Sequence, residues 1–311
     1  MQIYLNGNMV DPESAQVNIQ DAGIQHGIGL FETMAAHHGN VFRLSEHIER
    51  LLDSAQTLGL TACPNGETLE NAVKTTLKHN NLEEARVRLT VTAGDFSTFR
   101  PSLATDSDDE QSATAASPMG IPNPTVAVVA TESTIYDPAF FDQGITAIIA
   151  GPGANPFDVA AGHKTLNYWS RLSALRKAAS VGAGEAIWLN ITNHLASGCV
   201  SNVFLTKEGQ LLTPYARGEE VEGAMPAPVL PGITRKAIID LAEKAGVTVV
   251  RKMLSVEDLL SADEVFLTNS GWQLLPVTTI EKHKIGEGNV GPFARQLREN
   301  LLALIEQETK A

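Results

Sequence analysis

The chain has 311 residues, 43% hydrophobic and 19% charged, and carries a formal net charge of −13. That length suffices for two ordinary domains or one large one, and the composition is that of a globular protein able to bury a substantial core. The negative balance argues against nucleic acid or an anionic membrane as the main partner, because no basic field would draw them in, yet it leaves anionic small molecules open.

Two cysteines, Cys63 and Cys199, make no disulfide framework and suit a reducing compartment. The opening MQIYLNGNMV shows no basic segment followed by an apolar run, and no stretch approaches the ~20 apolar residues of a membrane span. A cytoplasmic protein is expected.

In chain order, Ile3–Leu5, Asn6-Gly7 and Met9-Val10 predict a hairpin, since Asn-Gly suits the positive φ of a tight turn. From Leu44 to Leu58 the period turns helical. Ile48, Leu51, Leu52, Ala55 and Leu58 form an apolar stripe, and His47, Arg50 and Ser54 form a polar one beside it. Leu69, Val73 and Leu77 mark another helix. RVRLTVTAG then alternates, with Val87, Leu89 and Val91 on one face and Arg86, Arg88, Thr90 and Thr92 on the other. Residues 101–124 are poor in large apolar side chains and read as a mobile excursion. A strand resumes at Thr125. The chain crosses between domains over 134–143, so that 1–133 form a smaller α+β domain and 144–311 a larger one. The second half mixes strands (AIWLNI, VSNVFL, VTVVRK, EVFLTN) with helices near 164–180, 234–245, 255–261 and 292–307. Ser255 and Asp258 resemble a capping box, and Pro292 suits a first helical turn.

Few residues stand out as chemistry. Lys164 follows Gly162 and is expected at the start of a helix whose apolar face is Leu166, Trp169, Leu172 and Leu175. By itself it reads most simply as a surface lysine. At a partly enclosed helix N-terminus it would be a Schiff-base lysine, its ammonium disfavoured by the dipole and by desolvation. LPGITRKAIIDLAEKAG is more telling. Pro231-Gly232 force a turn, Thr234 is placed to cap, and the free N–H groups of Ile233 and Thr234 would offer an anion site. An ordinary helix start with a Thr cap is the common alternative there. Arg50 is a second candidate phosphate ligand, with a surface arginine an equal reading, and Thr268, Asn269, Ser270 and Gly271 close a strand in small donors or form an ordinary polar loop. No metal site is expected.

Taken together, HGIGLFETM (26–34), HIERL (47–51), HKTLNYW (163–169), SGCVSNVF (197–204), LPGITR (230–235) and ADEVFLTNS (262–270) resemble, in order and spacing, the class IV pyridoxal-phosphate enzymes. That family holds branched-chain aminotransferases, D-amino-acid aminotransferases and aminodeoxychorismate lyase. The resemblance runs from Ile3 to about Pro276. It implies a two-domain α+β architecture of the D-amino-acid-aminotransferase-like kind (PLP fold type IV), pyridoxal 5′-phosphate as cofactor, an amino acid and a 2-oxo acid as substrates, and a homodimer.

Position by position, the resemblance makes Lys164 the lysine that holds the cofactor aldehyde and moves a proton between Cα and C4′. Arg50, Ile233, Thr234, Ser270 and, less directly, Asn269 would take the phosphate, where a guanidinium fork suits the oxygens. Tyr168 would lie near the cofactor's 3-oxygen. Phe31 would wall the substrate pocket, where D-amino-acid aminotransferases generally have Tyr. Arg88 would meet the substrate carboxylate, with Arg86 or Arg100 as substitutes, although a solvated strand face explains Arg86 and Arg88 as well.

One position departs from the family. Where relatives read Glu-Gly-x-x-x-Asn, this chain reads Ser197-Gly198-Cys199-Val200-Ser201-Asn202, so serine replaces the glutamate that keeps the pyridine nitrogen protonated. A hydroxyl supplies no charge, and the electron sink should weaken. Glu185 and His194 are near enough in sequence to compensate. Three readings follow: a transaminase for a small, branched or apolar amino acid; aminodeoxychorismate lyase or another eliminating enzyme, favoured by Ser197; or a pyridoxal-phosphate-binding protein of little activity.

Overall fold

The computed structural model describes residues 1–95 and 123–310. Arg100 and all of the 101–124 excursion except Asn123 and Pro124 lie outside them. The first half contributes strands β1 (Ile3–Leu5), β2 (Asn8–Val10), β3 (Gly29–His37), β4 (Asn40–Val41), β5 (Ala85–Thr92) and β6 (Val126–Glu132), with helices α1 (Ala22–His26), α2 (Leu44–Thr57) and α3 (Gly66–Asn80). The strands form one antiparallel sheet in the order β2-β1-β6-β5-β3-β4. The hairpin turn at Asn6-Gly7 has φ of 47° and 94°, as Asn-Gly permits.

Alternation on β5 decides what each face of this sheet does. Val87, Leu89 and Val91 are fully buried and join Leu30 and Met34 of β3 beneath the apolar stripes of α2 and α3. The opposite face carries Phe31, Thr33, Arg86 and Arg88, and it forms one wall of the cavity described below.

The second half contributes β7 (Ile145–Ala154), β8 (Glu185–Asn190), β9 (Leu195–Gly198), β10 (Asn202–Lys207), β11 (Gln210–Thr213), β12 (Val249–Arg251), β13 (Glu264–Asn269), β14 (Gln273–Ile280) and β15 (His283–Lys284). Its helices are α4 (Ala139–Asp142), α5 (Trp169–Ser180), α6 (Ile233–Lys244), α7 (Val256–Leu260) and α8 (Pro292–Thr309). The sheet order is β12-β11-β10-β13-β14-β7-β8-β9, with β15 on β14. Strand β7 runs parallel to both β14 and β8, and β11 parallel to β12. Phe204 and Phe266 stack at 5.2 Å in the core beneath α6 and α8. The Ser255–Asp258 capping box forms, and Pro292 occupies the first turn of α8. Among the described residues no helix is long and apolar enough to cross a membrane.

Three local expectations change. Helix α5 begins at Trp169, so Lys164 lies in a loop five positions upstream and receives no help from that helix's dipole. The face assigned to α5 is also displaced. Trp169 is 83% exposed and Leu172 50% exposed, while the buried side is Ala174, Leu175 and Ala178. Thr234 does not cap α6: the cap position is Gly232, with no side-chain hydrogen bond, and Thr234 sits inside the first turn.

Candidate active site

The polar stripe of α2 is turned inward and binds the two halves of the chain together. His47 and Ser54 are both almost fully buried. Arg50 donates to both oxygens of Glu32 on β3 and, from Nη1 at 2.9 Å, to the carbonyl of Pro231 ahead of α6. Ser54 meets His163 Nδ1 at 2.9 Å. That polar helix face is thus the contact carrying Arg50 and His163 to the site.

The Lys164 loop is held from several sides. Gly162 has φ of 74°, and a Cβ there would meet the Arg217 side chain at 2.8 Å. Phe31 N–H donates to the Lys164 carbonyl at 3.0 Å, and Leu166 N–H donates to the Gly29 carbonyl at 3.0 Å, which places the loop along β3. Lys164 Nζ then stands 4.5 Å from the Phe31 ring centroid and 5.6 Å from that of Tyr168, and those two rings meet edge-on at 5.1 Å. Arg88 Cζ lies 3.8 Å from the same Phe31 ring. Burial, followed by the neighbouring Arg86 charge, lowers the Arg88 pKa.

These groups open on a cavity of about 690 Å³, a size suited to a cofactor with its substrate. Its wall holds five cationic side chains (Arg50, Arg86, Arg88, Lys164 and Arg171) against one carboxylate, Asp158, among the described residues. In a chain of net charge −13, that concentration marks a site for anions.

An anion-binding end is built around α6. With no side-chain cap, the N–H groups of Ile233 and Thr234 lack intrahelical acceptors, and both residues lie on the cavity wall. Gly232 is required here, since a Cβ would overlap Asn202 Oδ1, and the Asn202 amide donates to Leu230 O at 2.9 Å. Ser270 lines the same cavity. So does Thr268, whose Oγ1 is buried without a partner, an acceptor and donor still to be satisfied. Asn269 differs. Its oxygen accepts from Gly271 and Trp272 N–H, and its amide donates to Val200 O, so the side chain shapes the turn.

Ser197 is 4% exposed, near the end of β9. Gly198 after it is fixed by crowding, since a Cβ would overlap Ser201 Oγ and meet Glu185 Oε2 at 2.9 Å. Glu185 does not stand in for the missing acid. It is fully buried behind the turn, accepts from Ala186, Cys199 and Val200 N–H and from the Ser201 hydroxyl, and does not reach the cavity. His194 bonds Thr192 and is likewise absent from the wall. Burial, with Glu185 close by, pushes the Cys199 thiol up to about 12.

Phe31, Arg50, Arg86, Arg88, Lys164, Tyr168, Ser197, Ile233, Thr234, Asn269 and Ser270 therefore share one cavity. Sequence reasoning missed Arg171 and Glu32, and noted Thr268 only as one of a run of small donors. Arg171 lies in a helix read only for its apolar stripe, and Glu32 was visible only within FETM.

Comparison with known proteins decides the family. The model of "Amino-transferase class IV" matches residues 29–280. The chain belongs to the class IV aminotransferases. A Methanocaldococcus jannaschii protein described as a putative branched-chain-amino-acid aminotransferase is 34% identical over 300 residues, covering 96% of this chain and 94% of its own. A Listeria monocytogenes D-alanine aminotransferase is 30% identical, covering 100% and 97%. Among solved structures, a T.th. branched-chain amino acid aminotransferase with pyridoxamine 5′-phosphate superposes with a TM-score of 0.81 at 26% identity, over 99% of this chain and 94% of that one. Class IV enzymes depend on pyridoxal 5′-phosphate, and the two-domain α+β architecture is that of the family. The residues present fit this cofactor: a lysine amine on the wall, uncapped helix N–H donors, and the orphaned Thr268 hydroxyl.

Proposed function

We propose that this class IV enzyme is a transaminase moving an amino group between a small, branched-chain or apolar amino acid and a 2-oxo acid, with Lys164 as its catalytic amine. The observation that carries the reading is the placement of Lys164 in a cavity whose wall includes an uncapped helix start. The branched-chain relative at 34% identity supports the substrate class. The division at 134–143 into domains 1–133 and 144–311 belongs to the same reading, with one sheet on either side of it as support.

When bound, pyridoxal phosphate supplies an aldehyde that condenses with amines and a ring that draws charge from the reacting carbon. Each side chain has its own part. Ile233, Thr234, Ser270 and Thr268 would donate to the phosphate, and Arg50, braced by Glu32 and Pro231, would add charge. Lys164 Nζ would take the proton from the substrate Cα and hold it for return on the same side. Tyr168 would stand beside the 3-oxygen, and Phe31 would exclude water from the substrate side. Arg88 takes the substrate carboxylate. Neither Arg86 nor Arg88 has an ion-pair partner among the described residues, so a dicarboxylic 2-oxo acid would engage both.

Ser197 favours a second reading, an eliminating enzyme such as aminodeoxychorismate lyase, because a hydroxyl brings no charge to the ring. A binding protein of little activity is the third. Exposed Trp169, Leu172, Phe157 and Val159 form apolar surface of the kind subunits cover, in support of a homodimer. The free Cys63 and Cys199 thiols suit the cytoplasm.

The test is a panel of amino acids added to cofactor-loaded protein. Bleaching of the visible lysine-bound band by small apolar amino acids, restored by a 2-oxo acid, supports transamination. Pyruvate or another elimination product without amine transfer supports the lyase. No response across the panel leaves binding alone.

A further inference from the structure

Arg171, in the first turn of α5, reaches over the turn that follows β9. Its Nη1 donates to the Ser197 hydroxyl oxygen at 3.2 Å, to the Gly198 carbonyl at 3.0 Å and to the Cys199 carbonyl at 3.2 Å. The Ser197 hydroxyl in turn donates to the Gly198 carbonyl at 2.9 Å. Ser197 and Arg171 both line the cavity that holds Lys164.

Groups on that wall can be set against the substituents of the cofactor, with Tyr168 as a common neighbour of Lys164 and Arg171. Round the pyridine ring come the phosphate arm, the aldehyde, the phenolic oxygen, the methyl group and the nitrogen. On the protein the α6 start, Lys164 and Tyr168 line one cavity, and the Tyr168 ring centre is 5.6 Å from Lys164 Nζ and 5.9 Å from Arg171 Cζ. With the aldehyde at Lys164 and the phenolic oxygen at Tyr168, the nitrogen would come to the side of Arg171 and its partner Ser197.

We propose that Ser197 and Arg171 keep the ring nitrogen unprotonated, with Ser197 donating its hydroxyl hydrogen to it and Arg171 acting as a positioning residue through Ser197. The inference rests on the cofactor being held at Lys164.

Three features of the site carry it. Arg171 has donors and no acceptor, so it occupies the oxygen side of Ser197 and leaves the hydroxyl hydrogen to be directed elsewhere. Polarised by that charge, the hydroxyl becomes a better donor and a poorer acceptor. When it swings from Gly198 to the nitrogen, the Gly198 carbonyl keeps its bond from Arg171, so no buried acceptor is orphaned. A fixed guanidinium beside the nitrogen also opposes a second positive charge.

The other groups packed round this point do not reverse that balance. Glu185 is engaged by three N–H groups and the Ser201 hydroxyl behind the turn. Cys199 remains a thiol, with Trp188 Nε1 donating to its sulfur. Asp158 on the wall caps its own turn through Ala160 N–H.

The experiment is ¹⁵N NMR of full-length protein loaded with ring-labelled pyridoxal phosphate, titrated across neutral pH. The wild-type nitrogen is expected at the unprotonated position. Ser197→Glu should move it to the protonated position, and Arg171→Met should raise its midpoint by at least about one pH unit, a tenfold change in proton affinity. Arg171→Lys should restore the low midpoint in part. A protonated wild-type nitrogen overturns the proposal even if Arg171→Met fails to fold, and an unchanged midpoint in a folded Arg171→Met removes Arg171 from it. Loss of the visible lysine-bound band in wild type would instead strike the cofactor site at Lys164, and the proposal with it.

Discussion

Arg50 and Glu32 form a fork-to-fork ion pair, Nε to Oε1 at 2.9 Å and Nη2 to Oε2 at 2.5 Å, with the carboxylate 1% exposed. Burial pushes the Glu32 carboxyl up, but the Arg50 charge and His47 outweigh it and bring it down to about 2. Burial also lowers His47, against the opposing pull of Glu32. Glu32→Ala would leave the buried Arg50 charge without its counterion and His47 Nδ1 without its partner. A loss of about 3–5 kcal/mol is expected in urea unfolding, and a loss much below that range would show the pair to be incidental.

The same pair sets an acid limit. Glu32 has a folded pKa below its ordinary 4.5, so its contribution is complete above 4.5 and is lost as pH falls towards 2. His47, depressed from 6.5, acts in the same direction: the unfolded chain takes its proton first, and stability falls as pH drops below 6.5. Thermal unfolding between pH 7 and pH 3 should show a monotonic decline in Tm, and its slope should shrink in Glu32→Gln/His47→Gln.

Lys164→Ala should abolish the visible lysine-bound band and cut amine transfer by about 10²–10⁴-fold, the range ascribed to a positioned acid–base group. Absorbance and single-turnover assays read both. Persistence of the band would place the reactive amine elsewhere.

Gly232→Ala drives a methyl group into Asn202 Oδ1. Relief means turning the amide away from Leu230 O and moving the α6 start, at about 1–3 kcal/mol. Cofactor Kd should rise well above wild type while the far-UV circular dichroism stays unchanged. An unaltered Kd would mean that the α6 start does not bind the phosphate.

Arg88→Leu should raise KM for every 2-oxo acid by about 10–150-fold, the loss of one charge-assisted hydrogen bond. Arg86→Leu should do so only for dicarboxylic acceptors. Equal effects of Arg86→Leu on mono- and dicarboxylic acids would refute a second carboxylate contact.

Trp169→Glu with Leu172→Glu should shift the sedimentation profile towards a lighter species if α5 lies at a subunit interface. The same profile as wild type would locate the interface elsewhere.

Patterns of period and punctuation determined the local elements by themselves. Strict alternation over 86–92 placed Val87, Leu89 and Val91 inward, because successive side chains on a strand point to opposite faces. Asn6-Gly7 specified its turn and Ser255–Asp258 its cap, since both are short-range chemistry. Ordered motifs were enough for the family, and they pointed to Lys164, Arg50 and the α6 start.

Tertiary structure decided what those patterns could not carry. The polar stripe of α2 gave no sign of its partners in sequence, and Glu32, Pro231 and His163 are brought to it by chain segments up to 181 residues away. Lys164 is placed by hydrogen bonds to β3 rather than by a helix of its own. Arg171 meets Ser197 across 26 residues, a pairing with no periodic signature, because side-chain contacts between elements depend on packing. A serine in place of a glutamate is plain to read in the sequence. That an arginine holds its oxygen, while Glu185 is spent behind the turn, follows only from the fold.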